Sequence, residues 1–211
     1  MTKNISKNAL IFLLIALFML TAAVHAERQL TGDELDFSET EEGRVFKALG
    51  NVELIYDEIR VTAEDEGIYR RYNGEIEFRK NVEVFYQEYT AQAVELTGNL
   101  ENEVFHFIGN AKLKGNEAYL EADQIDFYQA EDRMEAEGEV YVEYQDFWAE
   151  ADQMVYYLDR EYIELTGNVR GERNGEKFSS EIAEINQKTE EITLKGRATL
   201  ILPAEEDQDD N

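Results

Sequence analysis

YIELTGNVRG, residues 162–171, carries a Gly-Asn-Val phrase that the chain has already used in ALGNVELIYDE (48–58) and nearly repeats in RKNVEVFYQE (79–88). Set at the head of successive lines, Gly50, Lys80, Gly109, Gly138, Gly167 and Gly196 are 30, 29, 29, 29 and 29 residues apart. The lines open GNVELIY, KNVEVFY, GNAKLKG, GEVYVEY, GNVRGER and GRATLIL. Near-constant spacing with aligned content marks a chain built from a repeated structural unit.

Within each line the matched apolar positions lie two residues apart. Val52 and Leu54 align with Val82 and Val84, Ala111 and Leu113, and Val140 and Val142. A second segment aligns Val61 and Ala63 with Ala91 and Ala93, Leu120 and Ala122, and Ala149 and Ala151, followed by Leu96, Ile125 and Met154. A third aligns Ile76 and Phe78 with Phe105 and Phe107, Met134 and Ala136, Ile163 and Leu165, and Ile192 and Leu194. Alternate residues of a strand share one face, so a period of two predicts strands throughout. Each line is predicted to hold about three short strands, some sixteen in all, with Gly and Asn at the line heads breaking or bending them. LTGDELDF (30–37) matches the middle of a line, so the first repeat enters half-formed. Strands with one apolar face must bury it together. The predicted inward set is Val52, Leu54, Val61, Phe78, Val82, Val84, Phe105, Phe107, Leu113, Leu120, Ile125, Phe127, Val140, Val142, Met154, Ile163 and Leu165.

The termini read differently. Residues 1–26 have Lys3 and Lys7, an uncharged apolar run of 12 residues from Ala9 to Leu20, and small residues with Val24 and Ala26 at cleavage positions. That is a secretory signal peptide; a membrane span needs about 20 apolar residues. An uncleaved anchor is the alternative, because the uncharged stretch continues to Ala26. The domain is predicted over 27–203, and AEEDQDDN (204–211) reads as a disordered acidic tail.

The formal charge is −27, which excludes nucleic acid as a partner, since phosphate contacts need a basic face. There is no cysteine, so disulfide and thiolate chemistry are excluded. Beyond the leader the single histidine is His106, read as a surface residue on the face opposite the inward column. Nothing in the spacing joins it to Ser179 or Ser180, and no second histidine is present to build a zinc site. No phosphate loop or dinucleotide fingerprint occurs. With 47 acidic residues, carboxylate pairs carry no information about catalysis. Asp123 and Asp152, at matched positions, read as outward solubilising residues. Trp148 reads as outward, near Tyr141 and Tyr157. The expectation is a protein that is not an enzyme and has no cofactor or metal.

The phrases YIELTGNVRG, AVELTGNLEN, LEADQIDFY and AEADQMVYY, in this order and spacing, resemble the LptA/OstA family from about Leu30 to Leu202. The resemblance implies an all-β fold, a twisted, V-shaped OstA-like β-jellyroll of antiparallel strands. It also implies a periplasmic protein that holds the acyl chains of lipopolysaccharide between two sheets. Such proteins stack head to tail and bridge an LptC-like inner-membrane subunit to an LptD-like outer-membrane translocon. On that reading the inward set above contacts lipid, Leu113 and Phe107 among it. Two alternatives stay open: a membrane-anchored LptC-like subunit, and a secreted β-repeat scaffold without a lipid ligand. The fifth line departs from the pattern, with Gly171, Arg173 and Glu176 at otherwise apolar positions. There the two sheets are expected to part.

Overall fold

The computed structural model describes residues 28–203 apart from Asp57 and Glu117, so the signal-peptide and acidic-tail readings lie outside the described residues. Sixteen strands follow in order: β1 Arg28–Thr31, β2 Glu34–Glu39, β3 Arg44–Leu49, β4 Val52–Tyr56, β5 Ile59–Ala63, β6 Glu66–Arg70, β7 Glu75–Tyr86 and β8 Tyr89–Asn99. They continue with β9 Val104–Lys114, β10 Ala118–Tyr128, β11 Arg133–Tyr144, β12 Phe147–Tyr157, β13 Tyr162–Arg173, β14 Glu176–Asn186, β15 Glu191–Lys195 and β16 Thr199–Ile201. All belong to one antiparallel sheet. Among the described residues no helix is long and apolar enough to cross a membrane.

The number of strands agrees with the repeat, but its division into three short strands per line does not. From β7 to β14 each strand is eleven or twelve residues long, and a line is a hairpin of two. The Gly-Asn head does not end a strand; it kinks one. The third segment of one line and the first segment of the next are therefore the two halves of a single strand.

The kink falls at the same level in every long strand. Register shifts separate Arg79 from Val82, Gln92 from Glu95, Glu137 from Val140 and Thr166 from Val169. A bulge bends its strand and strengthens the local twist. Repeated across neighbours, the bulges fold the sheet along one crease into two leaves. At the amino-terminal end the leaves are separate strands. The outer half of β7 pairs with β5, which continues to β4 and β1, and its inner half pairs with β6, which continues to β3 and β2. At the other end β14 is shared by β15 and β16 in the same way.

Side chains at the crease explain the sequence phrase. Gly167 and Asn168 are both left-handed, with φ of 81° and 49°. Such a pair favours glycine, then asparagine. The Asn168 side chain donates to Asp152 Oδ2 at 2.9 Å, Asn51 to Asp33 Oδ2 at 2.9 Å, and Asn81 to Glu64 Oε1 at 2.7 Å. A side chain on Gly167 would collide with the Asp152 carboxylate, which occupies that space. Asp123 packs against Gly138 in the same manner. Asp123 and Asp152 do face outward, but they brace the crease, so their reading as mere solubilisers is corrected.

The inner faces of the leaves meet in one core. Ile125, Ala149 and Leu165 are fully buried, as are Phe78, Phe107 and Met134 to within 1 %. Gly67 on β6 lets the leaves approach, because a Cβ there would lie 2.7 Å from Val52 Cγ1 of the opposite leaf and 2.9 Å from Phe78. The residues of the predicted inward set are all buried, whereas Ile192 and Leu194 of the third segment are partly buried. At about 1.5–3 kcal/mol for each large apolar side chain, this core stabilises the fold in the absence of disulfides.

Candidate functional site

The leaves do not close on each other along their whole length. At the amino-terminal end a cavity of about 510 Å³ lies between them, within the 300–1,000 Å³ or so typical of small-molecule sites. Leu30, Leu54, Tyr56, Ile59, Val61 and Val84 wall it from one leaf. Phe46, Tyr69, Arg71, Ile76, Leu96, Leu100, Phe105 and Phe107 wall it from the other. Phe46 stacks on Tyr69 with ring centres 6.2 Å apart, and Phe107 meets Phe127 edge-on at 6.0 Å. The surface offered to an occupant is aliphatic and aromatic, with one cation.

Bulk decides where the space ends. Toward the carboxyl terminus the same interior is filled by Met134, Tyr156 and Leu165 and by Phe147 stacked on Phe178 at 6.1 Å. Tyr156 is 1 % exposed and its hydroxyl donates to Gln187 Oε1 at 3.1 Å. Burial raises its pKa well above the ordinary tyrosine value, with Glu161 and Tyr144 adding to the shift. The expected parting of the sheets at Gly171 is corrected here. Gly171 is buried, and a Cβ on it would lie 2.5 Å from Phe178 Cζ. The missing side chain makes room for a phenylalanine of the next strand rather than for an opening. Arg173 lies at the strand end, where its Nη1 donates to the Glu190 carbonyl at 2.7 Å.

Of the predicted inward set, Leu54, Val61, Val84, Phe105 and Phe107 line the cavity. Val52, Phe78 and Val82 are buried toward the crease, Val52 and Phe78 both packing on Gly67. Leu113, Leu120, Ile125, Phe127, Val140, Val142, Met154, Ile163 and Leu165 are buried in the core, outside the cavity wall. Ile76 and Leu96 carried the column signal but were not singled out. Leu100 and Arg71 sit in turns, where no strand period reaches them. Tyr56 and Ile59 flank the β4–β5 hairpin tip and so fall at the ends of their columns.

Other residues singled out in the sequence take structural places. His106 Nδ1 is 2.7 Å from Asp126 Oδ1, a buried carboxylate that also accepts from Gln124. Ser180 Oγ donates to the Ile182 carbonyl at 2.9 Å. Trp148 is half-buried and stacks on Tyr141 at 6.4 Å, whereas Tyr157 pairs with Tyr162 instead. Among the described residues no group of three or more acidic or histidine side chains is disposed to hold a metal ion.

Residues 92–191 match the sequence model of the family described as LptA/(LptD N-terminal domain) LPS transport protein. This segment begins in β8 and, of the cavity wall, includes Leu96, Leu100, Phe105 and Phe107. No curated protein matches the chain. Among solved structures it is similar to LptH of Pseudomonas aeruginosa, the LptA-homologous periplasmic component of the lipopolysaccharide transport device. That likeness has a TM-score of 0.52 at 12 % identity and spans 56 % of this chain and 96 % of LptH. At such identity it speaks for the fold, an antiparallel β-jellyroll. The hundred-residue match lies inside a creased sheet of this kind, so the chain is similar to the LptA/OstA family over residues 92–191 and resembles LptH in fold.

Proposed function

We propose that this protein is a periplasmic carrier in lipopolysaccharide transport, sheltering acyl chains in the cavity between its leaves. The observation that carries this reading is the apolar cavity itself, open at one end of a core whose other end is filled by Met134, Tyr156 and Leu165. Each CH₂ taken out of water there is worth about 0.8 kcal/mol, so a single chain can be held without any catalytic group. No energy source is built in; the lipid is handed on or displaced from behind.

The two ends fit a bridge made by end-to-end assembly with further copies and with LptC-like and LptD-like partners. β1 and β2 at one end and β15 and β16 at the other each pair on one side only, and such edges accept an added strand. Apolar side chains accompany them: Leu35 and Phe37 are 50 % and 82 % exposed, and Leu200, Ile201 and Leu202 are exposed by 55 % or more. By the repeat, Leu35 and Phe37 correspond to Ile125 and Phe127, which are buried where a neighbouring leaf covers them. A contact that joins unlike ends does not close on itself and builds a chain of copies.

The test is photo-cross-linking in the native cells, with the reactive residue at Tyr69 on the cavity wall or at adjacent Ile68 on the outer face. A lipopolysaccharide adduct at 69 and none at 68 is the expected result. Adducts to protein alone at both positions would overturn the carrier role and leave a β-repeat scaffold.

A further inference from the structure

The sequence offers no basic patch, yet the fold sets one cation against the apolar cavity. Arg71 opens the turn between β6 and β7, is exposed, and lines the cavity at the open side of the leaves, away from the crease. Its backbone N–H donates to the Arg44 carbonyl at 3.0 Å, which anchors the turn. Its side chain has no carboxylate partner among the described residues, unlike most cations of this acidic chain. Four nearby acids are already engaged. Glu39 pairs with Arg44 at 3.7 Å, Glu75 and Glu77 pair with Arg70 at 3.8 and 3.6 Å, and Glu42 accepts from the Tyr72 hydroxyl.

A guanidinium held beside an apolar space, with no carboxylate partner of its own among the described residues, is arranged for an anion attached to a hydrocarbon chain. Its planar fork suits a phosphate bound through two oxygens. We propose that the cavity takes an anionic amphiphile and that Arg71 binds its phosphate at the lip while the chain lies against Leu54, Ile59, Tyr69 and Phe105. This inference rests on the acyl-chain reading of the cavity and adds the polarity with which the ligand enters. An anion elsewhere on the surface meets a net charge of −27; Arg71 is the point where that repulsion is locally reversed.

Calorimetric titration of the full-length protein with dodecyl phosphate, dodecyl maltoside and inorganic phosphate tests it, using the wild type, Arg71→Ala, Arg71→Lys and, as a remote exposed cation, Lys177→Ala. Arg71→Ala is expected to weaken dodecyl phosphate about tenfold to a hundredfold, the usual loss for a hydrogen bond to a charged group. Dodecyl maltoside should be unaffected, Arg71→Lys should recover part of the loss, and Lys177→Ala should behave as wild type. Undiminished dodecyl phosphate binding by Arg71→Ala would overturn the role of Arg71 while leaving the acyl-chain reading intact. Wild-type binding of inorganic phosphate as tight as that of dodecyl phosphate would overturn it too, by showing a free-anion site. If neither amphiphile bound the wild type, the acyl-chain reading would fall first.

Discussion

Asn168 on β13 donates from Nδ2 to Asp152 Oδ2 on β12 at 2.9 Å, directly across the crease. One residue thus accepts a left-handed φ of 49° and the other holds it there. The pair recurs as Asn51 with Asp33 and as Asn81 with Glu64, so the crease is stitched in the first, second and fifth lines. In the third line Val94 replaces the acid and packs on Gly109, leaving Asn110 without this bond.

Asn168→Val should destabilise the protein by about 2 kcal/mol, from a lost hydrogen bond and a β-branched residue forced to positive φ. Asp152→Ala keeps the backbone residue and should cost about 1 kcal/mol. Urea midpoints compared at constant slope check both; equal effects would mean the conformation of Asn168 contributes nothing.

Gly171 is a packing position rather than a hinge. Gly171→Leu should cost about 3 kcal/mol by overpacking against Phe178 and the Trp148 carbonyl. Adding Phe178→Leu should recover part of that loss. Urea unfolding of the single and double variants measures the coupling, and simple additivity would contradict the contact.

The cavity can be filled without touching the crease. Ile59 is half-buried on its wall. Ile59→Trp should lower the lipopolysaccharide adduct at Tyr69 about tenfold, the equivalent of two displaced CH₂ groups. An unchanged circular dichroism spectrum and thermal midpoint would show that the fold persists. Undiminished adduct would place the lipid elsewhere.

Phe37 is 82 % exposed on an edge strand. Phe37→Glu should shift any concentration-dependent assembly seen by sedimentation toward monomer, with no loss of stability. Unchanged sedimentation would remove β2 from the assembling surface.

Tyr156 sets an alkaline limit. Its folded pKa is raised by burial, so the unfolded state releases this proton first as pH rises. Its contribution is complete below the ordinary tyrosine pKa of about 10 and is lost as pH climbs from there toward the folded value. Tyr156→Phe should reduce the fall in unfolding free energy above pH 10 by up to one proton's worth, about 1.4 kcal/mol per pH unit. At neutral pH it should cost about 1 kcal/mol for the bond to Gln187. Denaturant titrations across that range decide, and parallel pH profiles would assign the alkaline loss to other groups.

How far the sequence could be read depended on which signal each residue carried. Val82 with Val84 and Phe105 with Phe107 alternate with polar neighbours, so their burial follows from strand geometry wherever the sheet goes. Lys80-Asn81 and Gly167-Asn168 looked like breaks, because the residues that end strands are also those that bend them. Asp152 looked like a solubilising residue, since a partner sixteen positions away has no local signature.

By itself, therefore, the sequence determined the repeat, the all-β class and the inward columns, because a period of two and a period of 29 are properties of the chain alone. The tertiary structure decided where those columns touch each other and where they leave space. Leu54 and Leu113 occupy the same place in the repeat, yet the first lines a cavity and the second is sealed in the core. The difference lies in how side chains such as Tyr156, Phe147 and Phe178 fill one end of the fold while the other stays open. Arg71, in a turn with no periodic neighbour, acquired its place beside that space only when the two leaves closed over it.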